Sequence, residues 1–86
     1  MKAVKFDPDA FKEYLEWREE NANIFNRINQ LIMDTAREPF KGIGKPEPLK
    51  GNLRGYWSRR ITAEHRLIYK VENDTIAIVK CRGHYE

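Results

Sequence analysis

The sequence predicts an α+β domain, with two helices near its start covering one face of a small antiparallel sheet. Three observations carry this. Residues 8–38 hold two apolar stripes at helical spacing, and residues 56–82 hold three runs of strand type. Between them lies a stretch rich in glycine and proline. Apolar residues fill 41% of the 86 positions, which is enough to close one modest core.

The elements follow in order. Lys2–Phe6 is short, partly apolar and stopped by Asp7-Pro8, so it reads as an opening strand. Asp7 caps a helix that has Pro8 at its first position. Phe11, Tyr14, Leu15 and Trp17 or Arg18 carry that helix to about Glu20, and Asn21–Asn23 interrupts it. A second helix sets Ile24, Ile28, Leu31, Ile32 and Thr35 on one stripe and ends before Pro39. Two helices so close in sequence form a hairpin. Phe40–Gly55 holds four glycines and two prolines and reads as a long loop, a kind more often functional than idle. Tyr56–Thr62, His65–Glu72 and Thr75–Arg82 then build an antiparallel meander, with a tight turn at Asn73-Asp74, and the opening strand joins the same sheet.

Charge is unevenly spread along the chain. Residues 1–40 hold six Lys/Arg against eight Asp/Glu, whereas residues 41–86 hold ten against five. The second half therefore carries the field that a polyanion would feel. One cysteine, Cys81, excludes an internal disulfide, and no Cys/His spacing resembles a zinc site. That predicts no metal and a reducing compartment. No apolar run reaches the length of a membrane span, and the first ten residues lack a secretory h-region, so a cytoplasmic location is expected.

The run GKPEPLKGNLRGYWSRRITAEHRLIYKV, with CRGHY near the end, resembles the YoeB/Txe toxins of the RelE superfamily. The likeness covers most of the chain. It implies a microbial-ribonuclease-like (RelE-like) fold and a ribosome-dependent messenger-RNA endonuclease. Such a protein is the toxin half of a type II toxin–antitoxin pair and stops translation by cutting message in the ribosomal A site. The implied partners are the ribosome and its mRNA, a second copy in a homodimer, and a YefM/Axe-like antitoxin. The antitoxin would fold a disordered segment over the basic cleft and bind operator DNA with its other end; no cofactor is implied. Matched to the family's motifs, Glu47 corresponds to the general base, Arg66 to the transition-state arginine and His84 to the general acid. Tyr85 is the acid's neighbour in the site, and Lys50, Arg60 and Arg59 correspond to phosphate- or RNA-contacting cations. Glu86 departs from the pattern, because relatives often end at the tyrosine.

The residue types fit that chemistry. Cleaving RNA through its own 2′-hydroxyl needs a base, an acid and a cation on the phosphorane. Pro46 and Pro48 restrict the backbone on either side of Glu47. Guanidinium offers phosphate a rigid fork of donors. Arg60 and Arg66 can share a sheet face only if the connection between their strands is odd-numbered or bulged. Gly83 lets the chain turn out of its last strand before His84, and Tyr85 can stack on a base. Set beside this, His65 reads as a structural histidine bonded to neighbouring backbone. Trp17 and Trp57 read as packing residues or interface anchors, and Cys81 as a small buried apolar residue. The alternative function is a non-catalytic basic module that grips RNA or protein. The carboxylate of Glu47 argues against it, since pure binding has no use for an acid among phosphates.

Overall fold

The computed structural model describes residues 1–84. Its elements are β1 (Ala3–Phe6), α1 (Pro8–Glu20), α2 (Ala22–Arg37), β2 (Glu47–Pro48), β3 (Tyr56–Arg60), β4 (Arg66–Glu72) and β5 (Thr75–Lys80), with a 3-10 turn at Gly51–Leu53. The strands form one sheet in the order β1-β5-β4-β3-β2. It is a mixed sheet, because β1 runs parallel to β5 with Ala3 beside Thr75 and Phe6 beside Ile78. The long connection through both helices makes that parallel neighbour possible.

Local chemistry explains the boundaries. Pro8 starts α1 as expected, yet Asp7 contributes its extended backbone and carbonyl rather than a side-chain cap. A single residue separates the helices: the Asn21 N–H closes α1 on the Trp17 carbonyl, and its side chain accepts the Ile24 N–H to open α2. The buried stripe of α2 is Ile28, Leu31, Ile32, Thr35 and Ala36. On α1 it is Ala10 and Trp17, while Phe11 and Leu15 are exposed. Both helices pack on one side of the sheet against Leu67, Tyr69, Ile76 and Ile78, and Cys81 completes this core. Residues Asn73 and Asp74 alone connect β4 to β5.

The segment expected as an unbroken loop contains β2, which pairs antiparallel with β3 through Glu47–Ser58 and Pro48–Trp57. Its two prolines flank or fill an edge strand of two residues, where missing N–H donors are tolerated. The loop before β2 is held from below by Arg59, whose side chain is completely buried. Nε donates to the Tyr69 hydroxyl, and Nη1 donates to Asp34 Oδ2 at 2.6 Å and to the Ile43 carbonyl at 3.0 Å. Nη2 donates to the carbonyls of Glu38 and Lys41. Gly42 closes the same turn at φ +125°, and a Cβ there would run into the Asp34 carboxylate.

The Ile43 N–H, then Arg37 and Arg59, hold the Asp34 carboxyl well below the usual range, to about 2. A depressed carboxyl contributes stability above its unfolded value and loses it as pH falls through the folded one. Wild-type protein is therefore expected to lose about 2 kcal/mol of its advantage over Asp34→Asn between roughly pH 4 and pH 2. Urea unfolding of both proteins across that range checks it. Asp34→Ala, which strands the Arg59 charge, is expected to cost about 3–5 kcal/mol at neutral pH.

Candidate active site

Strand β3 meets β4 through five residues, Ile61–His65, and the register sets Arg60 directly opposite Arg66. This odd connection puts both arginines on one face. The turn is built locally: Thr62 Oγ1 accepts the N–H groups of Glu64 and His65, and the His65 carbonyl accepts those of Ile61 and Thr62. The same turn grips Arg66, whose Nη1 donates to the carbonyls of Thr62 at 2.7 Å, Ala63 at 3.2 Å and His65 at 3.1 Å.

Strand alternation places Glu47, Ser58, Arg60, Arg66, Ile68, Lys70 and Lys80 on the face turned away from the helices. Arg60, Arg66, Lys70 and Lys80 give that face a positive character; Glu47 lies among them, while a second carboxylate on the face, Glu72, is paired with Lys5 at 3.1 Å. Ile68 is buried there, outside the main core. At its rim Glu47, Ala63, Arg66 and His84 line a cleft of about 410 Å³.

His84 arrives by a tethered path. After β5 the Cys81 N–H donates to Glu13 Oε1 at 2.8 Å, and Trp17 Nε1 donates to the Cys81 carbonyl at 2.8 Å. Arg82 forks onto the Glu20 carboxylate with two bonds of 2.9 Å and lies 4.3 Å over the Trp17 ring. Its hydrogen bond lowers the pKa of Glu20. Gly83 then turns at φ +75°, donating its N–H to His65 Nδ1 at 2.8 Å and accepting the Arg66 N–H at 2.8 Å. Burial, with Glu13 and Glu16 nearby, pushes the Cys81 thiol up to about 12, so it stays protonated.

Of the residues singled out in the sequence, the structure thus brings Glu47, Arg66 and His84 to one cleft, with Arg60 on the same face. Lys50 is exposed three positions beyond Glu47, just before the 3-10 turn. Arg59 is corrected: it faces the helices, and all of its donors are committed to protein acceptors, so it has none to offer a phosphate. Tyr85 lies outside the described residues. His65 does bond to backbone, at a residue 18 positions away. The tethers Glu13, Trp17 and Glu20 were not foreseen, and only the acidic, Trp-bearing face of α1 hints at them. Among the described residues no three His, Cys, Asp or Glu side chains could hold a metal ion together, and no helix is long and apolar enough to cross a membrane.

Comparison with known proteins gives a consistent result. A family model for a YoeB-like toxin of bacterial type II toxin–antitoxin systems matches residues 6–85. Toxin YoeB of Escherichia coli K12 is 56% identical over 85 residues, covering 99% of this chain and 100% of the relative. Toxin YoeB of Streptomyces coelicolor is 52% identical over 82 residues, 95% of this chain and 98% of the relative. A solved YoeB/ParE toxin from Agrobacterium tumefaciens superposes with a TM-score of 0.94 at 44% identity, covering 96% of this chain and 99% of that one. From Staphylococcus aureus, a YoeB–YefM complex matches with a TM-score of 0.89 at 43% identity, covering 99% of both chains. A YoeB dimer from the same organism matches with 0.90 at 42% identity, covering 98% of both.

Gly83 offers a clean test of the tail geometry. Among the described residues other than its chain neighbours, a Cβ at this position would meet Lys80 Cε alone, at 3.7 Å, so the cost of Gly83→Ala is conformational rather than steric. Forcing a non-glycine residue into the left-handed region is expected to cost about 1–2 kcal/mol, read as a lowered Tm in thermal unfolding.

Proposed function

The chain belongs to the YoeB-like toxins of bacterial type II toxin–antitoxin systems, and from that membership we propose that it is a ribosome-dependent messenger-RNA endoribonuclease. The observation that carries the proposal is the convergence of a carboxylate, a guanidinium and an imidazole on one cleft of a basic, helix-free sheet face. Glu47 takes the proton of the 2′-hydroxyl, and the freed oxygen attacks the adjacent phosphorus. Arg66, braced on the β3–β4 turn, offers its fork to the charge that builds on the non-bridging oxygens. The bond from phosphorus to the 5′-oxygen breaks, and the imidazolium of His84 protonates that departing oxygen. These groups supply each proton and charge the reaction needs, so the scheme is complete without a metal.

Arg60 and Lys50 extend the positive surface along the message, and Tyr85 supplies a ring for a base to stack on. So small a domain has little surface with which to read sequence. The ribosome in the cytoplasm would present the codon in its A site, and the basic face would meet ribosomal RNA as well as message. Relatives solved with YefM and as a dimer support two further partners, a YefM/Axe-like antitoxin and a second copy. An acidic segment of the antitoxin complements the basic face, and the complex would bind operator DNA through the antitoxin.

Message cut on translating ribosomes is expected to carry a 2′,3′-cyclic phosphate and a 5′-hydroxyl; a 3′-hydroxyl end would exclude 2′-oxygen attack. Glu47→Gln is expected to slow cleavage by about 10²–10⁴-fold while sparing RNA binding. If that variant and the wild type bind RNA alike and neither cuts it, the binding-module reading is the better one; if both cleave alike, Glu47 is not the base.

A further inference from the structure

The proposed chemistry leaves out the side chain that holds the last peptide before His84. We propose that His65 is a positioning residue, a neutral imidazole whose Nδ1 anchors the Gly83 peptide and so sets the direction in which His84 enters the cleft. This rests on the reading that His84 acts there as the acid.

An amide N–H only donates, so the 2.8 Å bond from Gly83 requires a lone pair on His65 Nδ1, which leaves the ring proton on Nε2. The ring is held in place: Trp17 meets it edge-on with centroids 4.8 Å apart and planes at 76°. The His65 backbone is held as well, with its N–H on Thr62 Oγ1 and its carbonyl accepting from Ile61 and Thr62. The same carbonyl also receives Arg66 Nη1 at 3.1 Å. One residue therefore braces the Arg66 guanidinium with its main chain and the approach to His84 with its side chain. Its neighbour completes the grip, because the Arg66 N–H holds the Gly83 carbonyl at 2.8 Å. Gly83 is thus clamped through both its N–H and its carbonyl, and the Cα–C bond of Gly83 leads directly to His84. A histidine needed only for packing would be replaceable by any side chain of similar bulk. One needed as an acceptor at the δ position is replaceable only by a side chain with an acceptor there.

Asparagine carries Oδ1 at the same position along its side chain as Nδ1, and glutamine moves its oxygen one carbon further out. The test measures single-turnover cleavage on translating ribosomes for His65→Gln and His65→Asn, alongside their thermal unfolding. His65→Gln is expected to lower the rate constant by about 10²-fold, with the half-saturating ribosome concentration unchanged, and His65→Asn to restore most of it. Equal rates for His65→Gln and wild type overturn the proposal, as does a folded His65→Asn as slow as His65→Gln. A second reading needs no activity: nitrogen NMR of the wild type is expected to show Nδ1 unprotonated and coupled to a slowly exchanging Gly83 amide. A protonated Nδ1 or a fast-exchanging Gly83 amide overturns the proposal even if the variants behave as expected. Should wild-type protein leave ribosome-bound message uncut, the nuclease reading falls, and the NMR result alone decides the anchor.

Discussion

A guanidinium removed from water must have every donor satisfied, and Arg59 meets that condition only because one loop wraps around it. Its partners come from α2, from the turn after it and from β4: Asp34, three carbonyls between Glu38 and Ile43, and the Tyr69 hydroxyl. Tyr69 in turn donates to the Pro39 carbonyl at 2.6 Å. The segment that leaves α2 is thereby laid across the end of the sheet instead of drifting in solvent. From there Gly44 accepts the Arg60 N–H, and the chain enters β2 with Glu47 in register with Ser58. The position of a surface carboxylate thus depends on a buried cation on the opposite face of the sheet.

The sheet divides its labour by face. Helices cover one side and supply the core, so the other is free to carry charge. Helix α1 does more than pack, because its acidic edge and Trp17 receive the chain as it leaves β5. The tether draws on three kinds of contact: a carboxylate taking a backbone N–H, an indole donating to a carbonyl, and a bidentate ion pair stacked on that indole. No single one is strong where solvent reaches it. Placed at consecutive residues, they leave the backbone between β5 and the cleft few alternatives.

Much of this was readable in the residues. Periodicity located both helices and the three long strands, because each has one buried stripe and a clear stop such as Pro39 or Asn73-Asp74. The likeness in KPEPLK, EHRLIY and the final HY marked Glu47, Arg66 and His84, which the fold brings to one cleft. The two-residue strand at Glu47 was not visible, since Pro46 and Pro48 are what a loop looks like and the pairing is set by β3. Arg59 and Arg60 are identical side chains in adjacent positions, and only the strand's phase tells which one goes inward. The Asp34 partner that makes burial possible lies 25 residues earlier, beyond the reach of any local pattern. The parallel placement of β1 is likewise a matter of tertiary packing.

The edge of the sheet that carries Glu47 has one more property. A strand that docked beside β2 would have to find amide hydrogens pointing outward, yet Pro46 and Pro48 bring none. Templated growth by β-augmentation is therefore denied on the flank next to the cleft. A peptide lying over this region must be recognised through its side chains and charge, not through an extended ladder of main-chain bonds.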